Sequence, residues 1–333
     1  MSWKRPGAGL LGVAVSGALL VALYRSIDFQ SVGLALLGAD RLWLAISIGM
    51  IVPITILRAF RFYWVAPAGT LPGVGEALRL TLTASSLNAF MPAKAGDLIK
   101  SYRVAKGSDT SSGVAVSIIV YERLCDLFGL LSWCAVGWLI GRPDVPNVPS
   151  VLWLAIGALA AVCGVLILSR RVAAIVPRLL TSALPFRRLQ KLRDLAHGWP
   201  GLLRVLKGRR RWIVAFSLVL WLTHLIQIWM FSIALSLSIP FFVSACLTGV
   251  ALLAGQLPLT FAGLGTRDVA LVLLLSQYAT PGAAAAIGVL TVTRNILPAL
   301  AGLPLVRIYL PLVVGDALRW RERTKAAGGA PGR

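Results

Sequence analysis

"SSLNAFMPAKAGDLIKSYRVA", residues 85–105, decides how the chain is read. It sets Asn88, Pro92, Lys94, Asp97, Lys100 and Arg103 between two strongly apolar stretches. Pro92 has no amide hydrogen to donate and disfavours helix before it. Gly96 permits a tight turn, and Asp97 suits the N-cap of a new helix over "LIKSYRVA". The stretch predicts a helix that runs part way, breaks and returns. Irregular backbone at membrane depth is tolerated only where protein or a water-filled cavity covers it. The polar break is therefore expected to be the working part.

The surroundings are those of a membrane protein. Of 333 residues, 58% are hydrophobic and only 14% charged, with a mean hydropathy of +0.82. Soluble domains are about half apolar and about a quarter charged. The fold class this predicts is all-α, a polytopic transmembrane helical bundle. One transmembrane domain over 1–333 leaves no room for a large soluble domain. A span needs roughly 20 apolar residues. Candidates are 7–24, 42–57, 75–91, 111–140, 151–168, 212–238, 242–256, 266–279 and 282–303, with a short apolar tail at 304–314. The first follows Lys4 and Arg5 like a signal peptide, but "LYRSIDFQS" lacks a small-x-small cleavage site, so it reads as a retained span.

Net charge is +21, from 33 Lys and Arg against 12 Asp and Glu. The excess lies in linkers, which orients the spans with basic loops inside. Lys4 and Arg5 place the N-terminus in the cytoplasm. Arg58 and Arg61 mark an inside end after the second span. The stretch 169–211 carries twelve basic residues and one acid, Asp194, and reads as a cytoplasmic loop facing anionic headgroups. The tail 317–333 is likewise inside. Nucleic-acid binding is excluded because the basic stretches flank apolar spans. Phe186, Leu189, Leu192 and Leu195 recur every third residue and suggest a helix lying in the interface. Trp3, Trp43, Trp64, Trp199, Trp212 and Trp320 fall near span ends and read as belt anchors.

Parity then divides the chain. Helix 111–140 leaves the cytoplasm and 151–168 returns, so Arg61 and Lys106 are both inside. The segment between them cannot be one crossing, and a re-entrant hairpin of 75–91 and 93–105 resolves the conflict. In the second half, 212–316, the stretch 242–279 is broken by "GQLPLTFAGLGTRD" and should begin and end outside, as a hairpin or as two crossings. Against the first half, 1–168, this gives two fractured segments entered from opposite faces, the pattern of an inverted repeat.

The chemistry lies in four intramembrane acids: Asp97, Glu122, Asp126 and Asp268. Glu122 and Asp126 are four apart in "VYERLCDLF" and share a helix face, with Arg123 beside them. Arg267, Arg294 or Lys94 are the expected partners. In the second break Pro258 ends one helix, Gly263 and Gly265 allow close backbone approach, and Thr266 suits the next N-cap. Each break then presents a helix N-terminus to an anion, with Lys94, Lys100, Arg103 and Arg267 adding positive charge. Arg294, in "GVLTVTRNILPAL", is either the counter-charge of Glu122 or Asp126 or a headgroup contact. Every one of these motifs also has a structural reading, as ion pairs between helices or packing glycines. Cys125, Cys134, Cys163 and Cys246 form no CxxC pair, and His197 and His224 stand alone, so neither a metal nor a cofactor is expected.

At "SLNAFMPAKAGDLIKSYRV", "YERLCDLFGLL" and "LPLTFAGLGTRDVALVLL", in this order and spacing, the chain resembles flippase-like membrane proteins related to the N-terminal domain of lysylphosphatidylglycerol synthetase/flippase. The resemblance spans roughly 10–315. It implies two re-entrant elements, a lipid-accessible cavity and movement of a lipid between leaflets. Carried onto this chain it marks Asn88, Pro92, Gly96, Asp97, Arg103, Glu122, Arg123, Asp126, Pro258, Gly263, Gly265, Arg267 and Asp268, with Asp97 and Asp268 standing where Glu is often found. Those relatives continue into a soluble synthase domain, so this chain is not expected to aminoacylate a lipid itself. The expected function is translocation of a polar or phosphate-bearing lipid in the bacterial inner membrane, with both termini cytoplasmic. No GxxxxGK[ST] motif points to ATP. The alternatives are a membrane glycosyltransferase using a polyprenyl-phosphate sugar, and a scaffold for lipid-modifying enzymes. The expected partners are a membrane lipid, anionic headgroups at the basic loop, and a homo-oligomeric copy or a lipid-biosynthetic enzyme.

Overall fold

A computed structural model describes residues 29–107, 112–143, 145, 149–169, 190–256 and 265–328, with the side chains of 29, 92–94, 112, 150, 190–197 and 312–328 outside that description. The expected first span 7–24, Pro258, Gly263 and residues 170–189 of the basic stretch lie outside the described residues. The helices are α1 (Phe29–Leu37), α2 (Arg41–Gly49), α3 (Ile51–Val65), α4 (Val74–Phe90), a 3-10 turn (Pro92–Asp97), α5 (Leu98–Lys106), α6 (Ser112–Gly141), α7 (Ser150–Leu168), α8 (Gln190–Val205), α9 (Arg210–Ala234), α10 (Phe241–Gln256), α11 (Thr266–Leu274) and α12 (Pro281–Gly328). Five described stretches are long and apolar enough to cross a membrane: 41–65 (α2 and α3 end to end), 113–141, 151–168, 210–234 and 281–311. The protein is an all-α, multi-pass membrane bundle.

The lengths repeat. The series beginning at 41, 74, 98 and 112 reappears at 210, 241, 266 and 281, a displacement of 167–169 residues. Each series has a 25-residue span, a half-length helix, a break, a 9-residue helix and a long helix. The half-length helices have 17 and 16 residues, about 24–26 Å at 1.5 Å per residue. Neither half-length nor 9-residue helix spans a hydrocarbon core of about 30 Å.

Contacts show how the series are arranged. Asp40 N–H donates to the Ala234 carbonyl (2.8 Å), Gln227 Nε2 to the Ser47 carbonyl (2.8 Å), and Trp64 meets Phe216 with ring centroids 5.3 Å apart. The α2–α3 span and its counterpart α9 therefore run antiparallel against each other. The half-length helix α4 packs on the long helix of the other series, α12, through Ser86 Oγ donating to the Ala299 carbonyl (2.5 Å) and Tyr309 Oη to Glu76 (2.8 Å). Its counterpart α10 packs on α6, where Gly137 and Gly141 leave no space for a Cβ beside Phe242 and Val243. Swapping the series exchanges the α4–α12 contact with the α10–α6 contact, and with the antiparallel 41–65 span and α9 this is an inverted repeat.

Several expectations change. The second span does not stop at 57; it runs to Val65 and carries Arg58 and Arg61 within it. The apolar residues Ala59, Phe62 and Val65 continue its buried face and extend the helix past the two charges. The tail 304–314 is not separate, because α12 continues through Pro298, Pro304 and Pro311. Asp97 stands at the N-cap position of α5, as expected, but its side chain makes no cap hydrogen bond. Gly265, not Thr266, precedes α11 as its N-cap, at φ +96°, a conformation glycine adopts freely. The interfacial helix expected at Phe186, Leu189, Leu192 and Leu195 falls on residues or side chains outside the description, whereas the later turns of α8 are packed into the bundle. Trp199, Leu202 and Leu203 of α8 are buried in one core with Tyr121 and Ile118 of α6. Gly198 there lies against the Gly113 backbone. Trp199, at 7% exposure, is thus a core residue and not a belt anchor, whereas Trp212 is 63% exposed.

Candidate functional site

Two apolar cores share α6. One gathers Phe62, Ile99, Tyr121 and Cys125; the other gathers Leu130, Trp221, Leu271 and Ile287. Glu122 and Asp126 sit where one core gives way to the other. They are the eleventh and fifteenth of the 30 residues of α6, so they lie near its mid-length.

Their partners come from the α2–α3 span and the first break. Arg61 Nη1 contacts Asp126 Oδ1 at 2.6 Å, and its Nε stands 4.0 Å from Glu122. Lys100 Nζ lies 3.3 Å from Glu122 Oε2 and 4.0 Å from Asp97 Oδ1, with the Phe62 ring 4.8 Å away. Arg123 pairs with Asp97, and Asn88 Nδ2 donates to the same carboxylate at 3.3 Å. Trp221 Nε1 donates to Asp126 Oδ1 at 3.2 Å. Arg61, Asp97, Lys100 and Glu122 are each buried. The partners expected for Glu122 and Asp126 were Arg267, Arg294 or Lys94; the observed ones are Arg61 and Lys100. Sequence reading missed Arg61 because a charge bounding an apolar run resembles a loop charge. The available signal was the apolar continuation through residue 65.

The first break folds back as a hairpin. A Cβ on Gly96 would fall 2.6 Å from Leu87 Cβ, 2.7 Å from Asn88 N and 2.8 Å from the Ala84 carbonyl oxygen. Only glycine lets the 3-10 turn rest on α4, and that contact carries Asp97 under Asn88. Pro92 opens the turn; its side chain and that of Lys94 lie outside the described residues.

The second break is closed differently. Arg267 Nη2 and Nε reach Asp268 Oδ1 at 2.7 and 3.0 Å, and Nη2 also donates to the Gly288 carbonyl at 3.1 Å. Asp268 Oδ2 accepts from Gly265 N–H at 3.1 Å. A Cβ on Gly288 would stand 2.6 Å from the Asp268 carboxylate, so glycine makes room for the pair.

Arg103 joins neither group. It pairs with Glu76 of α4 at 3.4 Å, and Tyr309 and Arg79 meet the same carboxylate. Arg294 contacts His224 Nδ1, and the His224 ring lies 5.3 Å from that of Trp221. Arg294 is within electrostatic reach of both Arg267 and Arg58. The structure thus brings Asn88, Asp97, Glu122, Arg123 and Asp126 together with Arg61 and Lys100, and holds Arg267 with Asp268 apart from them. A cleft of about 430 Å³, lined by Tyr63, Trp64, Arg209 and Trp212 among others, lies elsewhere, at the Val65 end of the span.

Each ion pair here offsets part of the penalty of placing charge in hydrocarbon. Together the pairs line the bundle with polar groups from both series. The family model described as the lysylphosphatidylglycerol synthase TM region matches residues 9–302. Among curated proteins nothing matches the chain.

Proposed function

Because the chain belongs to the family of the lysylphosphatidylglycerol synthase transmembrane region, we propose that it is a lipid translocase of the bacterial inner membrane, moving a polar or phosphate-bearing lipid between leaflets. The observation that carries this reading is the run of charged and polar side chains at mid-length of the spanning helices, between two half-length helices that cannot cross. A headgroup crossing a bilayer unaided must shed its water in hydrocarbon. Polar groups at mid-depth lower that barrier, and the acyl chains stay in lipid throughout. Paired broken helices around a mid-membrane site are how inverted-repeat transporters build such a passage.

In this reading the basic stretch 169–211 faces the anionic headgroups of the cytoplasmic leaflet, and both termini lie on that side. The reading is of a transporter and not an enzyme. Of the three end-of-span carboxylates a glycosyltransferase could use as base, Asp28, Asp40 and Asp144, Asp40 caps α2, its Oδ1 accepting from Leu42 N–H at 2.8 Å and Trp43 N–H at 3.1 Å, and the other two lie outside the described residues.

The test is reconstitution into vesicles carrying acyl-labelled fluorescent phospholipid. External quenching should remove the inner-leaflet signal at least tenfold faster with protein than without. Rates equal to protein-free vesicles over a range of lipids defeat the proposal.

A further inference from the structure

The interior carries more positive than negative charge, and the excess has an address. Along the helices stand six basic side chains, Arg58, Arg61, Lys100, Arg123, Arg267 and Arg294, and four carboxylates, Asp97, Glu122, Asp126 and Asp268. Arg61 takes Asp126, Lys100 takes Glu122, Arg123 takes Asp97 and Arg267 takes Asp268. Arg58 and Arg294 remain. Neither makes a salt bridge with a described carboxylate, and the two are within electrostatic reach of each other. Asp126 and Glu122 are within reach of Arg58 too, but both are already held by Arg61 and Lys100. Arg58 and Arg294 are half-buried residues, unlike the buried Arg61, Lys100 and Arg267. Arg294 Nε is buried with no acceptor.

His224 completes the arrangement. A guanidinium only donates, so His224 Nδ1 accepts from Arg294. The ring proton then sits on Nε2, which has no described partner. Arg58, Arg294 and His224, from α3, α12 and α9, are three donor groups with no carboxylate partner among the described residues, and the one acceptor among them is His224 Nδ1.

We propose that Arg58, Arg294 and His224 form an anion seat for the phosphate of a lipid whose headgroup carries no ammonium group. Guanidinium forks suit phosphate oxygens in a two-point grip. Discrimination follows from what is missing. A headgroup bearing an amine would need a carboxylate, yet every described interior carboxylate already has its cation, and Asp126 lies among Arg61, Arg123 and Arg58. An incoming ammonium meets excess positive charge and is turned away. This rests on the translocase reading and specifies its substrate class, a net-anionic phospholipid.

Purified protein in vesicles would be given acyl-labelled phosphatidylglycerol or its lysyl ester, with identical chains. Wild type is expected to move phosphatidylglycerol at least tenfold faster than the ester, and Arg58→Gln or Arg294→Gln to lower that rate at least tenfold. Thermal unfolding checks that each variant is folded, and Arg58→Lys and Arg294→Lys, which keep the charge but not the fork, should fall between. The preference of wild type needs no variant. Equal rates for the two lipids, or faster movement of the ester, overturn the anion seat while the translocase stands. If neither lipid moves, thermal stabilisation of the detergent-purified protein by each lipid decides. Stabilisation by phosphatidylglycerol alone keeps the seat and removes translocation; equal or absent stabilisation removes both.

Discussion

The two breaks share a plan and differ in how their charges are satisfied. Each joins a half-length helix to a 9-residue helix. At the first break, Asp97 and Lys100 are tied to Arg123 and Glu122 of α6, and Arg61 of α3 extends the network. At the second, Arg267 and Asp268 are neighbours in sequence and satisfy each other, with the Gly265 N–H and the Gly288 carbonyl filling in. The first break is bolted to the bundle by charges from distant helices. The second brings its own counter-charge, and among the described residues that charged pair reaches outside its own helix end to one carbonyl of α12. Electrostatic demand at membrane depth can thus be met across the fold or within two residues, and only the first solution makes the break a tertiary keystone.

The comparison breaks most visibly at Glu122. Glu122→Ala leaves Lys100 buried without its closest partner and weakens the hold on Arg61, and should destabilise by about 3–5 kcal/mol. Thermal unfolding in nanodiscs measures it. Adding Lys100→Met should recover part of the loss, since one buried cation goes with its partner; a double variant no better than the single would deny that the pair is coupled. Asp268→Asn comes next, at about 2–3 kcal/mol, because Arg267 keeps the Gly288 carbonyl and gains an amide oxygen. Its effect should stay local, with hydrogen exchange quickening in α11 but not in α5. Spread of that exchange to the first break would mean the two are not independent.

The glycines sharpen the contrast. Gly96→Ala puts a methyl into the backbone of α4 and should cost about 1–3 kcal/mol by overpacking. Gly265→Ala should cost about 1–2 kcal/mol for a different reason, its left-handed backbone. At φ +96°, ψ −62° Gly265 lies outside the αL well that asparagine tolerates, so Gly265→Asn should be no milder than Gly265→Ala, and Gly96→Asn should be worse than Gly96→Ala. Chemical denaturation of the four variants would settle the ranking, and the reverse order at either site contradicts the assigned cause. The smallest effect is expected from Ser86→Ala, which removes the bond to the Ala299 carbonyl, at about 1 kcal/mol.

Much of this was legible in the sequence. Hydropathy gave the spans, and Pro92, Gly96 and the Gly265 region gave both breaks, because glycine and proline act locally and their effect does not depend on what packs nearby. The charge partners were harder to read. Glu122 and Asp126 announced that a cation was needed, but Arg61 is 61 residues away from the nearer acid and looked like the end of a span. Positive charge is a strong guide to sidedness only outside hydrocarbon; inside, a basic residue follows its acid. The role of Gly198 against Gly113, which draws α8 into the core, depends on a close crossing that no periodicity reveals.

The antiparallel lie of the 41–65 span against α9 has one more consequence. The two repeated series present nearly the same backbone turned over, so within them the difference between one leaflet and the other is carried by side chains, while α7 and α8 have no counterpart in the second series. Counted from their helix starts, Glu122 and Asp126 fall where Thr291 and Asn295 fall, and Arg58 and Arg61 where Gln227 and Met230 do. At those four positions the two series differ, charge standing in one where the other is neutral.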